Sequence, residues 1–162
     1  MSTLSTGVAL RALVTNTGTI TDNDATNAAD RLAARVALAA LIDDKLFANM
    51  APESALPEEA PYLFFNKTET APESNMTGQA SLCFTTFVIG GHAIDPATRD
   101  SMSTNLVAAL QGFRGTVAID GDSKVIQGIF WDSSGEEQML LSEGSDEMIY
   151  TMEQGFKMAH AV

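Results

Sequence analysis

The stretch "AALQGFRGTV", residues 108–117, decides how the rest of the chain is read. Small and apolar residues at helical spacing meet Gly112. Phe113, Arg114 and Gly115 follow, and then a run with β character. This is a helix-to-strand corner in which the arginine is the only side chain with any acid–base or charge chemistry. Gly112 or Gly115 is expected to end the helix, since glycine takes the left-handed conformation at little cost. Working upstream, Asp95-Pro96 is a helix start, an N-cap followed by proline at the first helical position. Met102, Leu106, Ala109, Leu110 and Phe113 recur at helical spacing between the two ends.

Working downstream, "TVAID" (116–120) and "KVIQGIFWD" (124–132) read as short strands about an Asp120-Gly121 turn. "SSGEEQMLLSEGSDE" (133–147) reads as an acidic, glycine-containing loop. "MIYTMEQGFKMAH" (148–160) reads as a closing strand with Met148, Tyr150, Met152, Phe156 and Met158 on one face.

The segments before the corner complete the pattern. "AADRLAARVALAALIDDKLF" (28–47) is the clearest helix. Asn27 is its expected N-cap and Asp30 lies near its positive end. Leu38, Leu41, Ile42 and Leu46 form one stripe, widened by Leu32, Val36 and Ala40. Pro52 and Pro57 place 48–61 in a loop. "YLFFNKT" (62–68) and "QASLCFTTFVIG" (79–90) read as strands, with the polar "ETAPESNMTG" (69–78) as a long hairpin loop between them. Both faces of 79–90 are largely apolar, which predicts a central strand. Residues 1–27 read as an arm or short helix over 8–14, and 28–162 as a single domain. The order of elements gives an α+β class: an antiparallel or mixed sheet of four to five strands with two main helices on one face.

Composition narrows the function. The chain has 162 residues, 45% of them apolar, which allows a real core without staples. Nine basic residues face 21 acidic ones, a net charge of −12. Duplex DNA is a poor ligand for such a chain, because phosphate contacts need lysine and arginine. The acidity reads either as solubility or as a surface past which DNA slides without sticking. Cys83 is the one cysteine, so no internal disulfide forms. Its apolar surroundings predict a small core residue. No signal-peptide pattern or bilayer-length apolar run is present, so a soluble protein made inside the cell is expected.

Motifs for chemistry are missing. There is no phosphate-binding glycine loop and no nucleophile elbow. "DNDATN" (22–27) and "DGDS" (120–123) alternate carboxylates as calcium loops do, but lack the glycine and glutamate that complete one. His92 reads as an exposed turn residue and His160 as a terminal one. With Cys83 they are at most three zinc ligands at unrelated spacings. Glu136 and Glu137 read as a solvated acidic loop, and the methionines as core filling or an adaptable contact surface. No catalytic residue, cofactor or metal is expected.

The order of short motifs resembles the tail-terminator, or tail-completion, family of long-tailed bacteriophages and gene-transfer particles. The helix ends in Leu38–Ile42, followed by Leu46-Phe47. A proline-containing loop reaches Pro61-Tyr62. A long helix ends in Leu110, Gly112 and Gly115, and Ile126–Glu137 supplies a strand with an acidic loop. The match covers about residues 30–160. The chain departs at its longer N-terminus, and Met and Phe stand near the end in place of the more usual Trp or Tyr.

The resemblance implies a structural virion protein at the head–tail junction, assembled in the host cytoplasm. It implies a ring, commonly of six copies, that caps the head-proximal end of the tail tube and stops its growth. The implied partners are further copies of the chain, the tail tube protein and the head-completion or stopper protein. DNA passes through the lumen without specific binding, and no membrane is involved. Candidate ring or tube contacts are Phe113, Arg114, Lys67, Glu69, Trp131, Glu136, Glu137 and Phe156. Six copies carry −72, so the acidic segments 69–78 or 132–147 are expected to line the bore. Rival readings are a stopper or head-completion protein, a small soluble enzyme with a spatially assembled site, and an acidic binding module.

Overall fold

A computed structural model describes residues 4–48, 60–74, 80–135, 138–141 and 148–161. In chain order the elements are α1 (Thr6–Thr15), β1 (Thr19–Asp22), α2 (Ala28–Ile42), β2 (Leu46–Ala48), β3 (Tyr62–Ser74), β4 (Ala80–Ala93), α3 (Pro96–Leu110), β5 (Gly115–Ile119), β6 (Asp122–Ser134), β7 (Gln138–Leu141) and β8 (Met148–Ala161). The eight strands form one sheet in the order β1-β5-β6-β8-β4-β3-β2, with β7 paired to β8. Only β2–β3 is parallel. The α+β class and mixed sheet stand. The sheet is larger than four to five strands, and three helices pack on it where two main ones were expected.

Beside β1, which lies in the N-terminal segment, two misread segments add strands and a third lengthens β3. Leu46–Ala48 is not the end of a helix. Asp43 and Asp44 both have positive φ, which stops α2 at Ile42 and turns the chain into β2 alongside Leu63–Phe65. The polar 69–78 is not all loop, because β3 stays paired to β4 as far as Ser74 opposite Ala80. Gln138–Leu141 pairs with Met148–Thr151, so the acidic segment after β6 contains a strand. In each case backbone pairing outweighs side-chain polarity, which is a weak guide on a sheet's margins.

The N-terminal segment is part of the fold. Leu10, Leu13 and Val14 of α1 are fully buried in the same core as Leu38, Leu106, Phe87 and Phe156. Ser5 caps α1, accepting from the Val8 amide at 3.2 Å. β1 pairs with β5 from Thr19↔Ala118 to Asp22↔Gly115. Residues 4–27 thus close one side of the subunit rather than trailing from it.

One face of the sheet packs on the helices. Phe87, Ile89, Ile129, Met152, Phe156 and Met158 point into that core. β4 is central, as expected, but it is covered on one face only. Leu82, Phe84, Thr86 and Val88, on the other face, stay partly exposed. α3 begins as read, with Asp95 accepting from the Thr98 amide at 2.7 Å. The β5–β6 turn also holds, with φ of 50° at Asp120 and 88° at Gly121, the pair of positive values a two-residue hairpin turn of this hand requires.

Candidate functional site

The corner after α3 resolves the roles of its two glycines. Gly112 has φ 79°, the left-handed conformation that turns the chain out of the helix. Gly115 does something else: a Cβ there would land on the Thr21 carbonyl oxygen, so glycine is what lets β1 approach β5. Between them Phe113 is fully buried beneath the corner and Arg114 is exposed. The Phe113 carbonyl accepts from the Ile129 amide and the Ile129 carbonyl accepts from Gly112, so the corner is stitched to β6.

Behind the corner lies a charged network that sequence reading missed. Arg31 and Arg35 of α2 are turned inward, 4% and 3% exposed. Arg31 donates from Nε to Asp22 at 2.6 Å, from Nη2 to Asp24 at 2.7 Å, and from Nη1 to the Gln111 carbonyl at 3.2 Å. One guanidinium thereby ties β1, α2 and the end of α3 together. The Asp22 and Asp24 carboxylates of "DNDATN" are both bonded to this arginine. The Arg31 bond holds the Asp24 carboxyl below the usual carboxylate range and, led by Asp22, raises the Arg31 guanidinium further. Arg35 donates weakly to Asn16 at 3.4 Å, its Nη1 has no partner among the described residues, and burial lowers its pKa. Asn27 is the N-cap residue of α2, its carbonyl accepting from the Arg31 amide at 3.0 Å, but its side chain donates to Asp24 and makes no capping bond.

Turning the arginines inward turns apolar residues outward. Leu32 and Val36, expected in the core stripe, are 47% and 52% exposed. Ala29, Ala33, Ala37 and Ala40 share that solvent-facing side of α2.

The sheet face opposite the helices is the second open surface. Phe130 lies across from Lys157, and the Lys157 ammonium sits 5.9 Å from the centre of the Phe84 ring. Phe130 is half exposed and its ring covers Gly128, where a Cβ would come within 3.0 Å of it. Asp24, Gly112, Arg114, Gln127, Gly128, Ile129 and Phe130 line a groove of about 410 Å³ at this edge. The Arg114 side chain makes no hydrogen bond or ion pair with the described residues.

A smaller cleft of about 260 Å³ lies on the same face among Phe64, Gly90, Gly91, His92, Thr151, Met152 and Glu153. His92 belongs to β4 rather than a turn and is half-buried. The buried Tyr62 hydroxyl lies 2.5 Å from its Nδ1. Burial pushes the Tyr62 phenol up to about 12 and the His92 imidazole down, so the phenol donates and the imidazole is neutral. His160 is not exposed either, at 5%. Its Nδ1 donates to the Ala161 carbonyl at 2.9 Å and its Nε2 accepts from Thr85 at 2.8 Å. Burial lowers its pKa as well. Cys83 is buried, as expected. Among the described residues no group of three or more His, Cys, Asp or Glu is placed to hold a metal ion. No described helix is long and apolar enough to cross a membrane.

The candidate contact residues scatter over this frame. Phe113 and Phe156 are fully buried core residues, so their side chains offer nothing to a partner. Arg114 is exposed on the groove and Lys67 is exposed on β3. Trp131 is 48% exposed on the helix side of β6, where its indole donates to Gln154 at 2.7 Å and Gln154 donates to Ser103 at 2.6 Å. Glu136, Glu137 and the side chain of Glu69 lie outside the described residues.

The chain is thus a two-layer α+β subunit with an open sheet face. No family model and no curated protein matches it. Among solved structures, a chain of the "Virion of native gene transfer agent (GTA) particle" matches with a TM-score of 0.56. The match covers 85% of this chain and 93% of that chain at 18% identity, a likeness of fold.

Proposed function

We propose that this protein is a structural virion component that forms a ring, six copies in the simplest case, on the head-proximal end of a tail tube. There it ends tube growth and presents a docking surface to the head-completion protein. The observation that carries this reading is the fold shared with a gene transfer agent virion chain over nearly all of that chain's length. The order of sequence motifs points the same way. A structural role also fits the polar groups, which are committed to holding elements together: His160 to Thr85, His92 to Tyr62 and Arg31 to Asp22 and Asp24. With −12 on each copy, a bore lined by acidic segments repels DNA and lets it pass.

Light scattering on the purified chain, alone and with its tail tube protein, followed by negative-stain imaging, tests the proposal. Rings, or caps on tube ends, are the expected result. A chain that stays monomeric and leaves tube length unchanged overturns it, as does assembly on the portal side alone.

A further inference from the structure

Two exposed apolar surfaces of this subunit complement one another. The first is the outward side of α2, where Leu32 and Val36 flank a row of alanines at positions 29, 33 and 37. Alanines at i, i+4 and i+8 leave a shallow channel along a helix, and a flat ring can lie in it. The second is the sheet face beyond the corner, where Phe130 and Val125 are 50% and 46% exposed beside the Arg114 groove. Phe130 faces away from the helices, since its neighbour Ile129 is the one buried against Met158. Phe130 and Val125 therefore face away from α2, while the Arg114 groove runs from them to the edge where Gly112 and Asp24 meet Arg31.

Charge selects the occupant. Copies bearing −12 each repel one another except where opposite charges meet. Asp30 is exposed on α2, across the alanine row from Leu32 and Val36. Arg114, on the groove, has no side-chain partner among the described residues; its own Asp24 also lines the groove but is already paired to Arg31. An acid without a described partner beside one apolar surface and an arginine without one beside the other make the surfaces complementary in sign as well as in shape.

We infer that the α2 surface of one copy docks on the Phe130–Arg114 surface of the next, with Asp30 meeting Arg114 across the contact. Contact between two different surfaces is head-to-tail, the kind that closes into a ring. The inference rests on the ring reading above and assigns that ring's subunit contact.

The test compares the full-length chain with Asp30→Lys, Arg114→Glu, Leu32→Asp and Phe130→Asp by light scattering across a concentration series. Circular dichroism checks the fold, which should be unchanged because all four residues are exposed. Each single charge reversal is expected to weaken self-association at least tenfold, and each apolar-to-Asp change more. Mixing Asp30→Lys with Arg114→Glu chains restores association, since each then meets an opposite charge at both of its contacts. If wild type forms rings and the variants match it, this contact is overturned while the ring reading stands. If wild type stops at dimers, both the head-to-tail contact and the ring reading fail, since a head-to-tail pair still has a free surface at each end. If wild type remains monomeric with and without tube protein, both fail.

Discussion

Replacing Arg31 by methionine is expected to cost about 3–5 kcal/mol of folding stability, the range for removing one partner of a buried ion pair. Burial decides between this figure and the roughly 0–1 kcal/mol of a surface pair. The side chains of Arg31 and Asp22 are each 5% exposed, so Asp22 would be left in a site with little water. The loss also removes the bonds to Asp24 and to the Gln111 carbonyl, loosening β1 and the end of α3 together. In urea, with a slope of about 2 kcal/mol/M for a domain of this size, the midpoint should fall by roughly 1.5–2.5 M. Adding Asp22→Asn should recover more than half of the loss. The amide removes the stranded charge and still accepts from the Asp24 backbone, which now bonds Asp22 at 3.0 Å. A midpoint shift below about 0.5 M for Arg31→Met, the size of a surface-pair effect, would refute the argument that this network holds the corner.

Gly115→Ala should disrupt the β1–β5 pairing, because its methyl meets the Thr21 carbonyl, whereas Gly121→Ala should cost only about 1 kcal/mol for its left-handed backbone. Hydrogen exchange at Thr19–Asp22 separates the two, with protection lost in the first variant and kept in the second. His92 and His160 are held below the ordinary histidine value by burial. Unfolded chains therefore bind more protons than folded ones just below pH about 6.5, and stability must fall as pH drops through that window. Denaturation midpoints at pH 7.5 and 5.5 check the sign, and a His92→Gln, His160→Gln double variant should flatten the change. The lowered carboxylates of Asp24 and Asp95 act in a separate window, near and below pH 4, where protonating them removes stability.

What the sequence disclosed was local. Asp95-Pro96, the Asp120-Gly121 turn and the Met152–Phe156–Met158 face depend on residues within one or two turns of each other, and each appears as read. The orientation of α2 does not depend on such neighbours. Its sequence carries two stripes with helical spacing, Leu38–Ile42 extended through Arg31, Ala34 and Arg35, or Leu38–Ile42 extended through Leu32 and Val36. Hydrophobicity alone favours the second. The first wins because Asp22 and Asp24, on a segment read as an arm or short helix, meet Arg31 inside the fold. The signal was present as two carboxylates close ahead of an Arg-x-x-x-Arg pair, but only with α1 and β1 packed in does it acquire meaning. Gly115 is a similar case, since its reason lies with Thr21, far away in sequence.

The inverted α2 also bears on why the subunit should associate. Burying two arginines is costly even when one is fully paired, and one Arg35 nitrogen goes without a partner among the described residues. For an isolated subunit, a helix with Leu32 and Val36 inside would avoid that cost and bury more apolar surface. The observed orientation leaves each of these side chains about half in water. A fully buried Leu or Val contributes about 1.5–3 kcal/mol, so roughly 1 kcal/mol remains unrealised at each position. Phe130 and Val125 hold similar reserves on the opposite face. Contact between the two surfaces recovers both sets at once, and in a closed ring every subunit makes that contact twice. An arrangement that is suboptimal for one copy is therefore favourable for an assembly, and the arginines that impose it on α2 also fix the corner from which Arg114 projects.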